Sequence, residues 1–282
     1  MASLLSDIAV QLRPVSDTPA LDASVLMAHI LGRPRTWVLA HPELELTPGQ
    51  KKELHEKITR LESGEPLPYV LGRRDFFGMD FDITPDVLIP RPETELLVEK
   101  AIIWLQASPS RRKIADVGTG SGIIAVSIAA HIPDATVLAT DISAHALRVA
   151  QDNAIKFHVQ DRIQFVKCDL LPAGGDPPQE HRVDLLCANL PYIPSGTLRG
   201  LPIFGHEPAL VLDGGTDGLD LIRALLEKAP GWLAPGGRAL LEIESTLGPQ
   251  TTQLARESFP EAEINLHRDL AGHNRLVDIS IS

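Results

Sequence analysis

Asn189-Leu190-Pro191-Tyr192, past the middle of the chain, carries the groups needed to hold a planar amino group. Asn189 offers a side-chain carbonyl. Pro191 biases Leu190 away from the helical region, so the chain runs extended and backbone carbonyls can point outward. Such acceptors suit an N–H₂ group presented by both hydrogens, with Tyr192 as an aromatic wall. The chemistry would be an amine or amide nitrogen held, oriented and joined to an electrophile. Alone, four residues of this kind are mostly an ordinary turn after a strand, and it is their context that lifts the second reading.

A second set lies upstream in Asp116-Val117-Gly118-Thr119-Gly120-Ser121-Gly122. Glycines permit positive φ and close backbone approach, and a helix opening here would aim unpaired N–H groups at an anion. The dinucleotide fingerprint is G-x-G-x-x-G, whereas these glycines alternate. Asp141 follows Gly122 by 19 residues and could accept hydrogen bonds from two ribose hydroxyls. Asp169, with Leu170 beside it, is placed to meet an adenine amine. The bland alternative makes both acids turn or helix caps. A glycine loop followed by an acid at each of the next two strand tips points to an adenosine-containing ligand. S-adenosylmethionine fits better than NAD, because an amino-acid end rather than a pyrophosphate would meet the loop. The expected cofactor set is Gly118, Thr119, Gly120, Ser121, Gly122, Asp141, Asp169, Leu170 and Asn189, with no metal.

These residues need a sheet to hold them. Val183–Ala188 is a short, nearly continuous apolar run, as expected of a strand buried on both faces. Asn189 would then sit at its C-terminal tip, where open α/β sheets place ligands. From Lys113 onward, strands and helices alternate, the pattern of a parallel sheet covered on both faces. Strands are expected at 113–117, 136–140, 163–166, 183–188 and 238–243, the last after a Gly236-Gly237 turn. Helices are expected at 123–131, after Ser143, at 219–233 and at 248–257. Residues 263–266 and 276–281 can close the sheet as an antiparallel end, giving seven strands. The fold class is thus α/β.

Residues 1 to about 72 read as a small helical bundle, with Leu4, Leu5, Ile8 and Leu12 at helical spacing and Thr47-Pro48 opening a later helix. His29 and His41 are read as core or surface histidines. Phe76–Ile83 suggests a hairpin bending near Gly78. Pro90-Arg91-Pro92 is either a stiff linker or a rigid loop folded over a ligand, with Arg91 near a polar group. Pro92 is suited to the first turn of the helix that follows. The predicted divisions are 1–72 (helical), 73–90 (hairpin linker) and 91–282 (sheet domain).

The chain has 282 residues, 44% hydrophobic and 22% charged, with net charge −11. That composition suits a globular protein with a sizeable core. No basic run exceeds Arg111-Arg112-Lys113, which argues against a surface built for nucleic acid. Cys168 and Cys187 lack metal-like spacing and are expected as buried free thiols in a reducing compartment, the cytoplasm. The N-terminus lacks signal features, and no apolar stretch is long enough to span a membrane. A monomer is expected from the lack of an exposed apolar repeat.

The glycine loop, Asp141 and Asn189-Leu190-Pro191-Tyr192 resemble a class I S-adenosylmethionine-dependent methyltransferase with a Rossmann-like sheet. More narrowly, the chain resembles the HemK/PrmC family, the peptide chain release factor glutamine methyltransferases. The resemblance rests on Gly64-Glu65-Pro66-Leu67 with Tyr69, Phe76-Phe77-Gly78, Val87 to Glu95, Glu207-Pro208-Ala209-Leu210 and Gly214-Gly215-Thr216-Asp217-Gly218-Leu219. It implies methylation of the glutamine amide nitrogen in the Gly-Gly-Gln loop of release factors. Asn189, Pro191 and Tyr192 would be catalytic, and Asn189, Leu190, Pro191, Tyr192 and Arg91 would bind substrate. The helical domain would recognise substrate. Rival readings are methylation of a nucleic-acid base amine or a ribosomal-protein glutamine, and a non-catalytic S-adenosylmethionine-binding scaffold. Two positions depart from the family pattern. Leu190 replaces a proline of the usual Asn-Pro-Pro-Tyr, and Glu244 replaces the glycine of Glu-Ile-Gly.

Overall fold

The structure, a computed structural model, describes residues 2–41, 43–175, 177–201 and 203–281, apart from the side chains of Ala2 and Ser3. The chain divides into two compact units, Met1–Arg74 and Asp75–Ser282.

The first unit contains helices α1 (Ala2–Leu12), α2 (Pro19–Leu31), α3 (Arg35–Ala40), α4 (Pro48–Glu62) and α5 (Leu67–Leu71). Thr47 and Gln50 form a reciprocal capping box at the start of α4, with Pro48 in its first turn. Ile8, Leu12, Leu26, Met27, Ile58 and Leu61 are buried together as its core. Five residues of α5 are too few to show a readable helical period.

A two-stranded hairpin, β1 (Arg73–Phe76) and β2 (Met79–Asp82), straddles the division. Its first strand begins three residues before the expected Phe76. Phe77 and Gly78 both take positive φ, at 51° and 72°, as a two-residue hairpin turn matched to strand twist demands. Phe76 and Phe81 are buried in the core of the sheet unit. Residues 75–90 fall within the second of the two units.

The sheet unit continues with α6 (Thr94–Ala107), β3 (Lys113–Val117), α7 (Ile123–His131), β4 (Thr136–Asp141), α8 (Ala144–Lys156), β5 (Ile163–Lys167), β6 (Val183–Ala188), the short α9 (Ser195–Leu198), α10 (Asp220–Trp232), β7 (Leu233–Glu242), α11 (Gly248–Ser258), β8 (Glu263–Arg268) and β9 (Asn274–Ser280). Seven strands form one sheet in the order β5-β4-β3-β6-β7-β9-β8. Strands β3 to β7 pair in parallel, and β9 runs antiparallel to both β7 and β8. Two cores flank the sheet. Leu185 and Cys187 of β6 face one, with α6 and α7, whereas Leu186 and Ala188 face the other, with α10 and α11. This two-sided burial accounts for the unbroken apolar reading of β6.

Three expectations need correction. Pro92 lies in a turn, and α6 begins two residues later at Thr94. Backbone hydrogen bonds from Thr94 N to Arg91 O and from Glu95 N to Pro92 O form tight i→i+3 turns before the helix proper. Gly236 and Gly237 lie inside β7, which starts at Leu233, and the β6–β7 register shifts between Val183 and Leu185. The expected turn is thus an irregularity within a strand. Finally, Cys187 is buried but Cys168 is only half-buried.

Candidate active site

The chain reverses its direction of travel across the sheet between β3 and β6. A crevice outside the strand tips at such a switch point is where open α/β sheets bind ligands. A cavity lies there. Gly118, Thr119, Gly120 and Ser121 line it beyond β3, Asp141 and Ser143 beyond β4, Asp169 and Leu170 beyond β5, and Asn189, Leu190 and Pro191 beyond β6. Arg91 and Thr94 close one side, and Leu210 and Val211 another. Two expected site residues, Gly122 and Tyr192, are not among the lining.

The β3–β5 tips are tied together by their own polar groups. Gly118 N and Thr119 N both donate to Thr140 O at 2.9 Å. The Thr140 hydroxyl donates to Leu170 O at 2.6 Å, and Leu170 takes the left-handed conformation, φ 60°. Asp116 is fully buried. Its Oδ2 accepts from the Thr119 hydroxyl (2.6 Å) and Ala125 N (3.1 Å). Burial pushes its pKa up to about 7 against the pull of those two donors. Asp141 accepts from Gly120 N at 2.9 Å and Ser143 N at 2.8 Å, and burial raises its pKa as well. Asp141 is thus a turn acceptor that also lines the cavity. Gly122 caps α7 at φ 82°, where a Cβ would meet Ala150 Cβ at 3.0 Å. Its work is close packing of α7 on α8.

The β6 tip is built differently. Leu190 is buried, and its Cδ2 sits 2.9 Å from where a Cβ on Gly118 would lie. The segment after Asn189 rests on the Gly214–Leu219 stretch. A Cβ on Gly214 would come within 2.7 Å of Tyr192 Cα, and one on Gly218 within 2.3 Å of Tyr192 O. No residue with a side chain fits at either position. Burial, with Glu242 nearby, pushes the Tyr192 phenol up to about 12.

Three neighbours of the site, Glu207, Thr94 and Glu242, stand in the sequence only as parts of family motifs, with no role assigned to them. Glu207 is buried and accepts from Ile89 N (3.0 Å) and from the Arg91 guanidinium (2.5 Å). Arg91 therefore answers a carboxylate of its own chain while facing the cavity. Thr94 is fully buried, and Asn189 Nδ2 donates to its Oγ1 at 3.1 Å. Glu242 ends β7, and Ala188 pairs with Leu241, so Asn189 and Glu242 are adjacent at neighbouring strand tips. Burial pushes the Glu242 carboxyl up to about 7, opposed by the Thr94 hydroxyl and by Arg275. The Thr94 hydroxyl is near enough to act on this carboxyl. Even so, neither carboxyl oxygen closes a hydrogen bond of normal geometry, and neither does Asn189 Oδ1. The logic that singled out Asp141 and Asp169, an acid at a strand tip, would also have found Glu242.

Glu244 makes the turn after β7 without the usual glycine. Its carboxylate accepts from Thr246 N at 2.7 Å and the Ser245 hydroxyl at 2.6 Å, capping the single turn Ser245–Leu247. Among the described residues, no cluster of side chains is arranged to hold a metal ion, and no helix is long and apolar enough to cross a membrane.

Comparison with known proteins adds to this geometry. Residues 3–72 match the family described as PrmC N-terminal domain, and residues 99–191 match that described as ribosomal protein L11 methyltransferase (PrmA). The chain is 43% identical to the release factor glutamine methyltransferase of Moorella thermoacetica, covering 92% of this chain and 90% of that protein. It is 40% identical to the one from Bordetella pertussis, covering 92% and 93%. Among solved structures it is similar to a methyltransferase from Pyrococcus furiosus, with TM-score 0.52 and 14% identity over 83% of this chain and 98% of that one. It is also similar to a T. thermophilus 16S rRNA methyltransferase in complex with AdoMet and guanosine, with TM-score 0.51 and 18% identity over 74% and 50%. At such identities these two bear on the fold alone.

Proposed function

The chain belongs to the release factor glutamine methyltransferase family, and from that premise we propose that it methylates the side-chain amide nitrogen of the glutamine in the Gly-Gly-Gln loop of peptide chain release factors, with S-adenosylmethionine as donor. The observation that carries this reading is Asn189. Its side-chain carbonyl is buried, lacks a partner, and belongs to a residue lining the cavity at the switch point. A buried acceptor without a donor is costly, and an incoming amide N–H would satisfy it.

The residues suit the donor. The glycine loop brings Gly118 to Ser121 to the cavity wall with its Gly118, Thr119 and Gly120 N–H groups spent inside the fold, and Asp141 and Asp169 offer carboxylates at the next two tips. When bound, S-adenosylmethionine supplies a sulfonium methyl for a new N–C bond, the S–C electron pair staying on sulfur and one proton leaving the nitrogen. Asn189 Oδ1 and the Leu190 carbonyl would orient the amide hydrogens and so fix the direction in which the nitrogen presents its lone pair. Those same acceptors favour positive charge developing on nitrogen. Pro191 keeps Leu190 extended. Tyr192, its phenol held at about 12, stays neutral and acts neither as base nor as anion. Arg91, fixed by Glu207, forms part of the substrate side of the cavity. In this reading the enzyme works in the cytoplasm as a monomer on a protein substrate and acts on translation termination.

The test is transfer of labelled methyl to three substrates: a bacterial-type release factor, the same factor with its loop glutamine changed to alanine, and bulk tRNA or DNA. Label on the unmodified factor alone is expected. Label on nucleic acid but not on the factor would overturn the substrate and leave the fold standing.

A further inference from the structure

Three side chains follow one another from the cavity wall inward: Asn189, half-buried, then Thr94 and Glu242, both buried. Asn189 Nδ2 donates to Thr94 Oγ1 at 3.1 Å. Beyond Thr94 stands the Glu242 carboxyl, 2% exposed and without a closed hydrogen bond. No cation salt-bridges to it among the described residues, although Arg91 and Arg275 act on it from a distance. A hydroxyl has one hydrogen, and an ionised carboxylate can only accept. When Thr94 turns its hydrogen toward Glu242, its oxygen lone pairs face Asn189. The only group Asn189 can then offer is its N–H₂, which leaves the amide carbonyl to the cavity. With the amide flipped, the Asn189 carbonyl would take the Thr94 hydrogen, Glu242 would lose its nearest donor, and an N–H₂ would confront the substrate's own N–H₂.

We propose that Thr94 and Glu242 are positioning residues that set the flip state of Asn189, committing Nδ2 to Thr94 so that Oδ1 is presented to the substrate amide. The inference rests on the glutamine-methylating reading of the site and names what makes its central acceptor an acceptor. It also explains why a carboxylate is kept at the buried tip of β7 with so few donors. Its task is to bias a hydrogen, and a fully satisfied carboxylate would exert no pull on Thr94.

The test uses the full-length enzyme and four variants: Thr94→Val, Thr94→Ser, Glu242→Gln and the double variant Thr94→Val/Glu242→Gln. Valine keeps the shape of threonine and removes the hydroxyl, and serine restores it. Thr94→Val is expected to lower kcat about 100-fold, with KM for the release factor and Kd for S-adenosylmethionine within about threefold. Thr94→Ser should recover activity to within a few-fold of the parent. Glu242→Gln should lower kcat about tenfold, and the double variant should be no worse than Thr94→Val, because both act through one chain of contacts. A Thr94→Val enzyme as active as the parent would overturn the proposal, as would serine failing to rescue or two fully additive losses.

A second readout needs no turnover. The Asn189 side-chain N–H₂ resonances, identified by their loss in Asn189→Asp, should exchange slowly with solvent in the parent and at least tenfold faster in Thr94→Val. Equal exchange in both would defeat the relay even if the substrate proved to be a nucleic-acid amine. A parent enzyme that labels only nucleic acid, with exchange still Thr94-dependent, would fail the glutamine reading and leave the relay intact.

Discussion

The tips of β3 and β7 each end in a buried acid, and the two are held in opposite ways. Asp116 and Glu242 are both pushed up to about 7 by burial. Asp116 gathers the Thr119 hydroxyl and Ala125 N–H on one oxygen and so fastens the glycine loop to the start of α7. The Glu242 carboxyl closes no hydrogen bond of normal geometry among the described residues, although the Thr94 hydroxyl acts on it. The same cost of burial serves anchorage at one tip and tension at the other. A carboxylate that is hydrogen-bonded in place stabilises the loop around it. One left short of donors can still act on its neighbours.

The contrast breaks most visibly at the end of the relay. Asn189→Ala should lower kcat about 10²–10³-fold, the range for losing one preorganised hydrogen-bonding group. Asp116→Ala should instead cost stability, about 1–3 kcal/mol for each buried donor left unpaired, read as a lower urea midpoint.

Glu242→Gln should move stability the other way. The folded pKa of Glu242, about 7, lies above its ordinary 4.5. Below the ordinary value the group is protonated whether folded or unfolded, and its burial carries no ionic cost. As pH rises through about 7, the folded protein must ionise it in place, and stability is lost. Glu242→Gln is therefore expected to raise Tm by a few degrees near pH 8 and to lose that advantage near pH 5. The parent's kcat should fall as pH drops below about 7, where Glu242 gains its proton, and Glu242→Gln should lack that limb. The charges facing Glu242 are Arg275 on β9 and Arg91 and Glu93 ahead of α6, with the Tyr192 phenol close by. The smallest effect is expected at Glu244. Removing its cap with Glu244→Ala should cost about 1 kcal/mol by urea unfolding and leave activity within a few-fold.

Much of the sheet could be read from residue order, because its signals are local. The two-sided apolar run of β6 and the helix bounds at Ile123 and His131 need no knowledge of distant residues. Pro92 misled because a proline suits a helix's first turn, yet here two tight turns intervene before Thr94. Gly236-Gly237 reads as a turn from composition, and only pairing with β6 shows a strand passing through it. The cavity's glycine loop and strand-tip acids stand out by type and order. The partners that decide their chemistry do not. Asn189 meets Thr94 across 95 positions and Ile89 meets Glu207 across 118, and no periodicity links such pairs. Leu190 and Glu244, which depart from the family pattern, are each accommodated by neighbours that the sequence leaves unspecified.

Asn153 carries one more consequence. Fully buried on α8, it accepts from Asp82 N, donates to Asp82 O and donates to Ser121 O. One amide thereby joins the second hairpin strand to the glycine loop. Fraying β2 would leave that amide short of two partners and loosen its hold on Ser121 O in the same event. The Asp82 amide should then exchange with deuterium at the loop's rate rather than at the rate of an exposed hairpin, making the two a single unit of local unfolding.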